Sequence, residues 1–584
     1  MVAAEAKWAD AADFATRGGV AVRMVLGGRA RRSRVVVAAG SAVLIGFAGS
    51  VTATAAPVSE VGVPPGFAEQ ELRWRPCPSD LLDHALAGDG YAAARSAVLP
   101  GLDCARIRTP LDWAHPADGR EATFWISRLP GTGSATTPLL TSTGGSGAGT
   151  LLDPHSFSGG MPKLRESFDL VGFDARGTST SSTAQSCDPA VSGDPGLLGT
   201  GPREGYDILD FSAPSVARQL DDARRWTERC LAGAATTPDG ASTAPYVTYW
   251  QTVRDLDLVR QLLRADKWSY LGVSQGTALG RELARTFPGH VDRWVLDSVV
   301  DPLRSPNAVL QERYRARQQA VETEFAPWAA TRGTVLGDNA DRVLASITKL
   351  RADLAARPVQ LPGGQAFTAN DLNPILFGVG NAANEAVLSK LLTIRAAVYG
   401  DSSPASVQAV VAMVSQFQLS PLIDRELGAV LSGAPRQGWW TAYNCNAAEW
   451  SHDTNAVLAE QQWAAEQAPL TYLGMGFSAV CAQWPFPGRA DSQSEWGEVP
   501  GMLLITNELD AVTPAGGARA LRDLVAGSRL VTVEGKAAHL VLPQRTPFGL
   551  PGGVPGTSSC ATDIAVRYLM TGELPPKDQT CKTN

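Results

Sequence analysis

A chain of 584 residues is too long for one compact core, so a large domain carrying an inserted second one is expected. Hydrophobic residues make up 44%, ordinary for a globular protein, and the formal net charge is −7. No dense basic run occurs beyond the N-terminus, which argues against a nucleic-acid partner.

At the N-terminus, Arg29, Arg31, Arg32 and Arg34 precede an apolar stretch from Val35 to Val51. Thr52-Ala53-Thr54-Ala55-Ala56-Pro57 then has the small-x-small form of a signal-peptidase site. Residues 1–23 contain acidic residues and unpatterned sequence and read as an extension ahead of a start at Met24. The expected signal peptide is 24–55, with a secreted mature chain that keeps no stable membrane association. A retained anchor is the alternative, but the stretch is short and rich in Gly and Ala. Arg31-Arg32 permits twin-arginine export. Eight cysteines, all beyond this segment, form an even set suited to an oxidising compartment. Neighbours along the chain suggest Cys77 with Cys104, Cys187 with Cys230, Cys445 with Cys481, and Cys560 with Cys581, a connectivity that sequence alone does not fix. No Cys-x-x-Cys or clustered Cys/His pattern points to a metal.

Residues 66–135 read as an antiparallel section. Strands and helices then alternate to Pro302, as expected for a mostly parallel sheet with helices on both faces. Pro138-Leu139-Leu140-Thr141-Ser142 is a strand that runs into the glycine-rich loop from Thr143 to Gly149. Thr252-x-x-Asp255 reads as a capping box, followed by an apolar face of Val253, Leu256, Val259 and Leu263. Trp268 to Val273 is a short apolar strand, and Leu279, Leu283 and Phe287 recur at helical spacing until Pro288-Gly289. From about Asn307 to Trp440 the chain is rich in Ala, Leu, Gln and Arg with helical periodicity, including Val343 to Leu354 and Ala383 to Val398. The expected organisation is a core over 56–302, a mainly helical cap over 303–484, and the rest of the core over 485–584. In that last part Met502 to Thr506 and Leu530 to Val533 are strands, and Pro551 to Pro555 lies in a surface loop.

Between the strand and helix around residue 274 stands Gly272-Val273-Ser274-Gln275-Gly276. A Gly-x-Ser-x-Gly corner presents a strained serine, and the residues two positions away must be small so that strand and helix can approach. Serine becomes nucleophilic when a histidine takes its proton, and the histidine needs a carboxylate to fix its tautomer. Of the six histidines only His452 and His539 lie well beyond the corner. His539 follows a strand, which makes it the candidate base, while His452 sits in polar sequence and reads as a surface residue. Asp510, between a strand and Thr513-Pro514, is the candidate acid, with Glu508 as its rival. An oxyanion hole needs two backbone N–H groups. One is expected from Gln275 and the other from Gly145 or Ser146, in a loop that lacks the Lys-Ser/Thr of a nucleotide site.

These residues resemble a family, the secreted tripeptidyl aminopeptidases of actinobacteria, which are α/β-hydrolase serine peptidases related to proline iminopeptidase. The similarity rests on Thr109-Pro110-Leu111-Asp112-Trp113, on Asp174-Ala175-Arg176-Gly177, and on Gln251-Thr252 with Asp255-Leu256-Asp257. It continues through Gly272-Val273-Ser274 and Val295-Leu296-Asp297 to the closing segment from Cys481 to Cys581. The resemblance implies an α/β-hydrolase fold with Ser274, Asp510 and His539 as nucleophile, acid and base. The chain departs from the pattern at Gln275, where the family has tyrosine. It departs again at Ser146 for proline, at Ala538 for glycine, and at Ala447 for an aspartate after Cys445.

The expected activity is release of short peptides, tripeptides in the family, from free N-termini through an acyl-enzyme. That chemistry needs no metal or organic cofactor. An esterase acting on small or lipid esters uses the same machinery, and a secreted binding protein without turnover is the alternative from another class. Glu449 and Asp453 lie in the region where a substrate ammonium would be met, but sequence gives neither of them that role.

Overall fold

Apolar strands alternating with helices assemble, in the computed structural model, into one ten-stranded sheet. The structure describes residues 62–78, 81, 101–134, 136–144, 150–178, 180–187, 206–362, 366–380, 384–400, 403–419, 437–488, 496, 498–535, 537–544 and 557–583. The expected extension and signal peptide, and the loop from Pro551 to Pro555, lie outside them. The strands are β1 (Arg75–Pro76), β2 (Asp103–Pro110), β3 (Glu121–Leu129), β4 (Thr137–Ser142), β5 (Phe168–Phe173), β6 (Trp268–Val273) and β7 (Val291–Asp297). After a short hairpin of β8 (Val359–Gln360) and β9 (Ala366–Phe367) come β10 (Leu503–Asn507), β11 (Arg529–Glu534) and β12 (Gln579–Lys582).

The order across the sheet is β1-β2-β3-β5-β4-β6-β7-β10-β11-β12. β1, β2 and β3 pair antiparallel, as does β3 with β5, and every later neighbour is parallel. Adjacent residues of the parallel strands point to opposite faces. Leu140, Val171, Tyr270, Leu296 and Leu504 pack on one side, with helices Ala213–Ala232, Tyr249–Leu262, Gln275–Thr286 and Gly516–Leu524. Leu139, Leu170, Leu271, Val295 and Leu503 pack on the other, with Asp153–Gly160 and Ser559–Thr571. A sheet buried on both faces needs such near-continuous apolar strands, and β6 and β10 are buried along their whole length.

From β4 the chain turns to β5 on one side and later returns to β6 on the other. The helices that follow β4 and β6 therefore pack on opposite faces of the sheet, which makes the neighbouring ends of these two strands its topological switch point.

One sequence expectation changes. Helix Tyr249–Leu262 starts earlier than Thr252 predicts, because Thr248 is its cap and accepts the N–H of Gln251 at 3.1 Å. Thr252 lies inside the helix and bonds the Thr248 carbonyl, and Asp255 turns into the interior. There its carboxylate takes Arg176 Nε at 2.6 Å and Nη2 at 2.9 Å, Thr109 Oγ1 at 2.6 Å and Trp113 Nε1 at 2.8 Å. Three separate motifs of the resemblance thus meet at one buried carboxylate, a charged pair that is neutralised and fully hydrogen-bonded on the acid side.

Between β7 and β10 the described chain is almost wholly helical, from Pro306–Ala320 to Gly476–Cys481. Its own core contains Val343, Ile347, Leu350, Leu372, Leu391 and Ile394, which recur at helical spacing. Asn339 caps helix Ala340–Ala356, and Thr368 with Asp371 forms a capping box for Ala369–Phe377. All eight cysteines are paired, as Cys77–Cys104, Cys187–Cys230, Cys445–Cys481 and Cys560–Cys581, with Cα separations of 4.8, 4.1, 4.8 and 5.8 Å. Four disulfides fit an oxidising compartment. No helix of the described residues is long and apolar enough to cross a membrane.

Candidate active site

Ser274 stands between β6 and helix Gln275–Thr286 with φ 52° and ψ −124°, a conformation that costs on the order of 1–3 kcal/mol for a residue other than glycine. The surroundings hold it. Its N–H bonds the Asp297 carbonyl at 2.9 Å, and its own carbonyl accepts the Thr277 N–H at 2.9 Å. A Cβ on Gly276 would lie 2.4 Å from the Ser142 carbonyl oxygen, and one on Gly272 2.4 Å from the Tyr270 ring. Strand and helix approach this closely because both positions lack side chains.

His539 Nε2 lies 2.9 Å from Ser274 Oγ, and its Nδ1 lies 3.0 and 3.2 Å from the two Asp510 oxygens. All three residues are buried. Asp510 Oδ1 accepts the N–H groups of Val512 and Thr513 at 2.8 and 2.9 Å, and Oδ2 accepts the Thr513 hydroxyl at 3.1 Å. Burial by itself pushes this carboxyl up, but the adjacent His539 ring and the two backbone N–H groups hold it below its ordinary value. The acid therefore stays ionised beside the imidazole. Glu508, the rival, is exposed. His452 is exposed and faces the Ala482 carbonyl, and His290 and His115 pair with Asp257 and Asp112.

The loop carrying His539 is tied to the end of β7. Asp297 Oδ2 accepts the N–H groups of Val541 and Leu542 at 2.9 and 2.8 Å, and Ser298 Oγ accepts that of Leu540 at 3.1 Å. Asn507 donates to the Leu540 carbonyl at 3.0 Å. Burial pushes the Asp297 carboxyl up to about 6 against these donors. Sequence reasoning met Asp297 only as part of a family pattern, because its partners lie more than 240 residues away.

Of the oxyanion candidates, Gln275 begins the nucleophile helix, while Gly145 and Ser146 lie outside the described residues. The loop's first residues are placed. A Cβ on Gly144 would come 2.3 Å from Ser274 Cβ and 2.8 Å from the Gln275 nitrogen, so only glycine lets the loop pass the nucleophile. Asp153 anchors the residue before it, accepting the Thr143 N–H at 2.7 Å and hydroxyl at 2.9 Å.

A cavity of about 320 Å³ opens beside Gln275, walled by Tyr249, Tyr443, Trp440, Trp450 and Phe477. The Gln275 side-chain amide donates to the Tyr249 hydroxyl. Asp301 is the one carboxylate among the described lining residues, which also include Arg281, Arg304 and Arg313. Arg304 lies 3.4 Å from Asp301. Glu449 is exposed, and Asp453 caps helix Thr454–Gln467.

Two family models match the chain, "alpha/beta hydrolase fold" over residues 138–333 and "TAP-like protein" over 471–581. The chain is 26% identical to a tripeptidyl aminopeptidase of Streptomyces coelicolor over 499 residues, 82% of this chain and 83% of the relative. It is 26% identical to the serine protease Hip1 of Mycobacterium tuberculosis over 526 residues, 88% and 91% of the two chains. A carboxylesterase B of the same organism is 25% identical over 496 residues, 82% and 86%. By fold the chain is an α/β-hydrolase, and over most of its length it is similar to tripeptidyl aminopeptidases.

Proposed function

We propose that the protein is an exported serine peptidase that releases short peptides, chiefly tripeptides, from free N-termini. The observation that carries the reading is the unbroken line from Asp510 through His539 Nδ1 and Nε2 to Ser274 Oγ, with separations of 3.0 and 2.9 Å. Asp510 holds the proton on Nδ1, which leaves Nε2 free to take the serine proton as Oγ attacks the scissile carbonyl. The developing oxyanion is received by the Gln275 N–H and by a second N–H from the loop at Gly145 or Ser146. His539 then returns its proton to the leaving amine, and water, activated by the same imidazole, frees the acyl group.

The cavity supports the exopeptidase side of this reading. Its aromatic walls and limited volume suit two or three residues and exclude a folded chain. A free α-ammonium needs a carboxylate, and Asp301, the carboxylate among the described lining residues, is the candidate for it, in exchange for its contact with Arg304. With arginines also among the lining residues, the occupant that matches is a short zwitterionic peptide. Export is supported by the four disulfides and by the signal-like segment ahead of Ala56.

A second reading, an esterase, is favoured by the carboxylesterase relative. The test is a panel of tripeptidyl, dipeptidyl, single-residue and N-blocked amides beside short acyl esters, with Ser274→Ala as control. Turnover of free tripeptidyl amides above all others supports the peptidase. Inert amides with rapid ester turnover replace it with the esterase.

A further inference from the structure

The base of the triad is held from two sides. Residues 540–542 are fixed by the core, through Asp297, Ser298 and Asn507. The residues on the other side of His539 are held by the helical insertion. Glu324 Oε2 accepts the Ala537 N–H at 2.6 Å, and the Gly380 carbonyl accepts the N–H of His539 itself at 3.2 Å. Ala537 and Ala511, which follow β11 and β10, are buried in the insertion's own core with Val321 and Phe325. Gly380 has φ +89°, and a Cβ there would lie 2.2 Å from the Ala537 carbonyl oxygen, so the two chains are in close contact. Arg313 Nε donates to the Val512 carbonyl at 3.1 Å and ties the insertion to the acid's loop as well.

Glu324 comes from a local irregularity. Helix Pro306–Ala320 continues into helix Ala326–Ala330 through a π turn over Val321–Phe325. Such turns insert one extra residue into an α-helix and concentrate at functional sites. Here Val321 and Phe325 point into the insertion's core while the half-buried Glu324 is left facing the histidine loop.

We propose that Glu324 is a positioning residue for catalysis, by which the helical insertion holds His539 in line with Ser274 through the Ala537 N–H. The inference rests on His539 being the base. It makes the insertion a part of the catalytic machinery as well as a wall of the substrate cavity. A carboxylate on a backbone N–H two residues before the base fixes the loop without touching substrate, so its loss acts on kcat and leaves KM unchanged.

The test uses Glu324→Met, which keeps the length of the side chain and removes the acceptor, and Glu324→Gln, which keeps an acceptor oxygen. Three rates are measured on each full-length folded protein: hydrolysis of a free tripeptidyl amide, hydrolysis of p-nitrophenyl acetate, and inactivation by a fluorophosphonate. The expected result is a fall of about ten- to a hundredfold in kcat on both substrates and in inactivation rate for Glu324→Met, with KM unchanged. Glu324→Gln should recover to within about threefold of wild type. The acetate and the fluorophosphonate are too small to need the cavity, so an equal loss on all three places the effect at His539. Loss on the amide alone would overturn the proposal in favour of a substrate contact, and equal damage by both variants would overturn the role of the acceptor. If the wild-type protein turns over no amide, the peptidase reading fails, while the acetate and inactivation rates still decide the role of Glu324.

Discussion

The carboxylate of Asp297 accepts the N–H of Val541 at 2.9 Å, and the carbonyl of the same aspartate accepts the N–H of Ser274 at 2.9 Å. One residue at the end of β7 thereby sets the base loop and the nucleophile relative to each other. Its burial gives this arrangement a pH signature. A carboxyl raised to about 6 in the folded protein binds a proton that the unfolded chain has released above its ordinary value, so its contribution to stability falls as pH rises through that window. Asp297→Asn cannot ionise. Its stability relative to wild type should therefore rise between pH 4 and pH 7, by on the order of 2–3 kcal/mol. Urea unfolding of both proteins at the two pH values checks this, and a constant difference contradicts it.

Thr513 links the acid to the base. Its hydroxyl lies 3.1 Å from Asp510 Oδ2 and 3.4 Å from His539 Nδ1. Thr513→Val removes that group while keeping shape and the backbone bond to Oδ1. The expected loss is about three- to tenfold in kcat, a part of the worth of one charge-assisted hydrogen bond, since the two backbone N–H groups still hold the carboxylate, with KM unchanged. Steady-state kinetics on one amide substrate decide it, and a change in KM alone would contradict it.

Asp301 gives a prediction on the opposite parameter. If it meets the substrate ammonium, Asp301→Asn should raise KM for free tripeptidyl amides by about tenfold. Turnover of a small acyl ester, which has no ammonium, should stay as it is. Equal effects on both substrates would remove Asp301 from substrate binding.

The pair of Arg176 and Asp255 tests the fold. Asp255→Ala leaves a buried guanidinium without its carboxylate and should cost about 3–5 kcal/mol. The double variant Arg176→Met with Asp255→Leu should be less destabilised than Asp255→Ala. Denaturant midpoints of the three proteins measure this, and a double variant as unstable as the single one contradicts it.

The meeting of Ser274, Asp510 and His539, the candidate serine, acid and base, was legible because each follows an apolar strand, and strand ends on one sheet edge lie close together. Local pattern was enough for that. It was not enough for Asp255, whose spacing from Thr252 imitates a helix cap but whose partners are 79 to 146 residues away. Nor could it reach Asp297 or Glu324, whose roles depend on which loop folds against them 244 and 213 residues later. Where a side chain acts through a backbone N–H, the partner's residue type leaves no mark in the sequence. Gly144 was visible as one glycine among several, and its contact with Ser274 depends on the neighbouring order of β4 and β6.

In the proposed reaction Ser274, activated by His539 and Asp510, forms the covalent acyl-enzyme. Mass spectrometry of the protein after reaction with a fluorophosphonate, with peptide mapping of the adduct, tests it most directly. One adduct is expected, on Ser274, absent in Ser274→Ala and formed roughly 10³-fold or more slowly in His539→Ala. An adduct on another residue, or labelling that survives in Ser274→Ala, would contradict it.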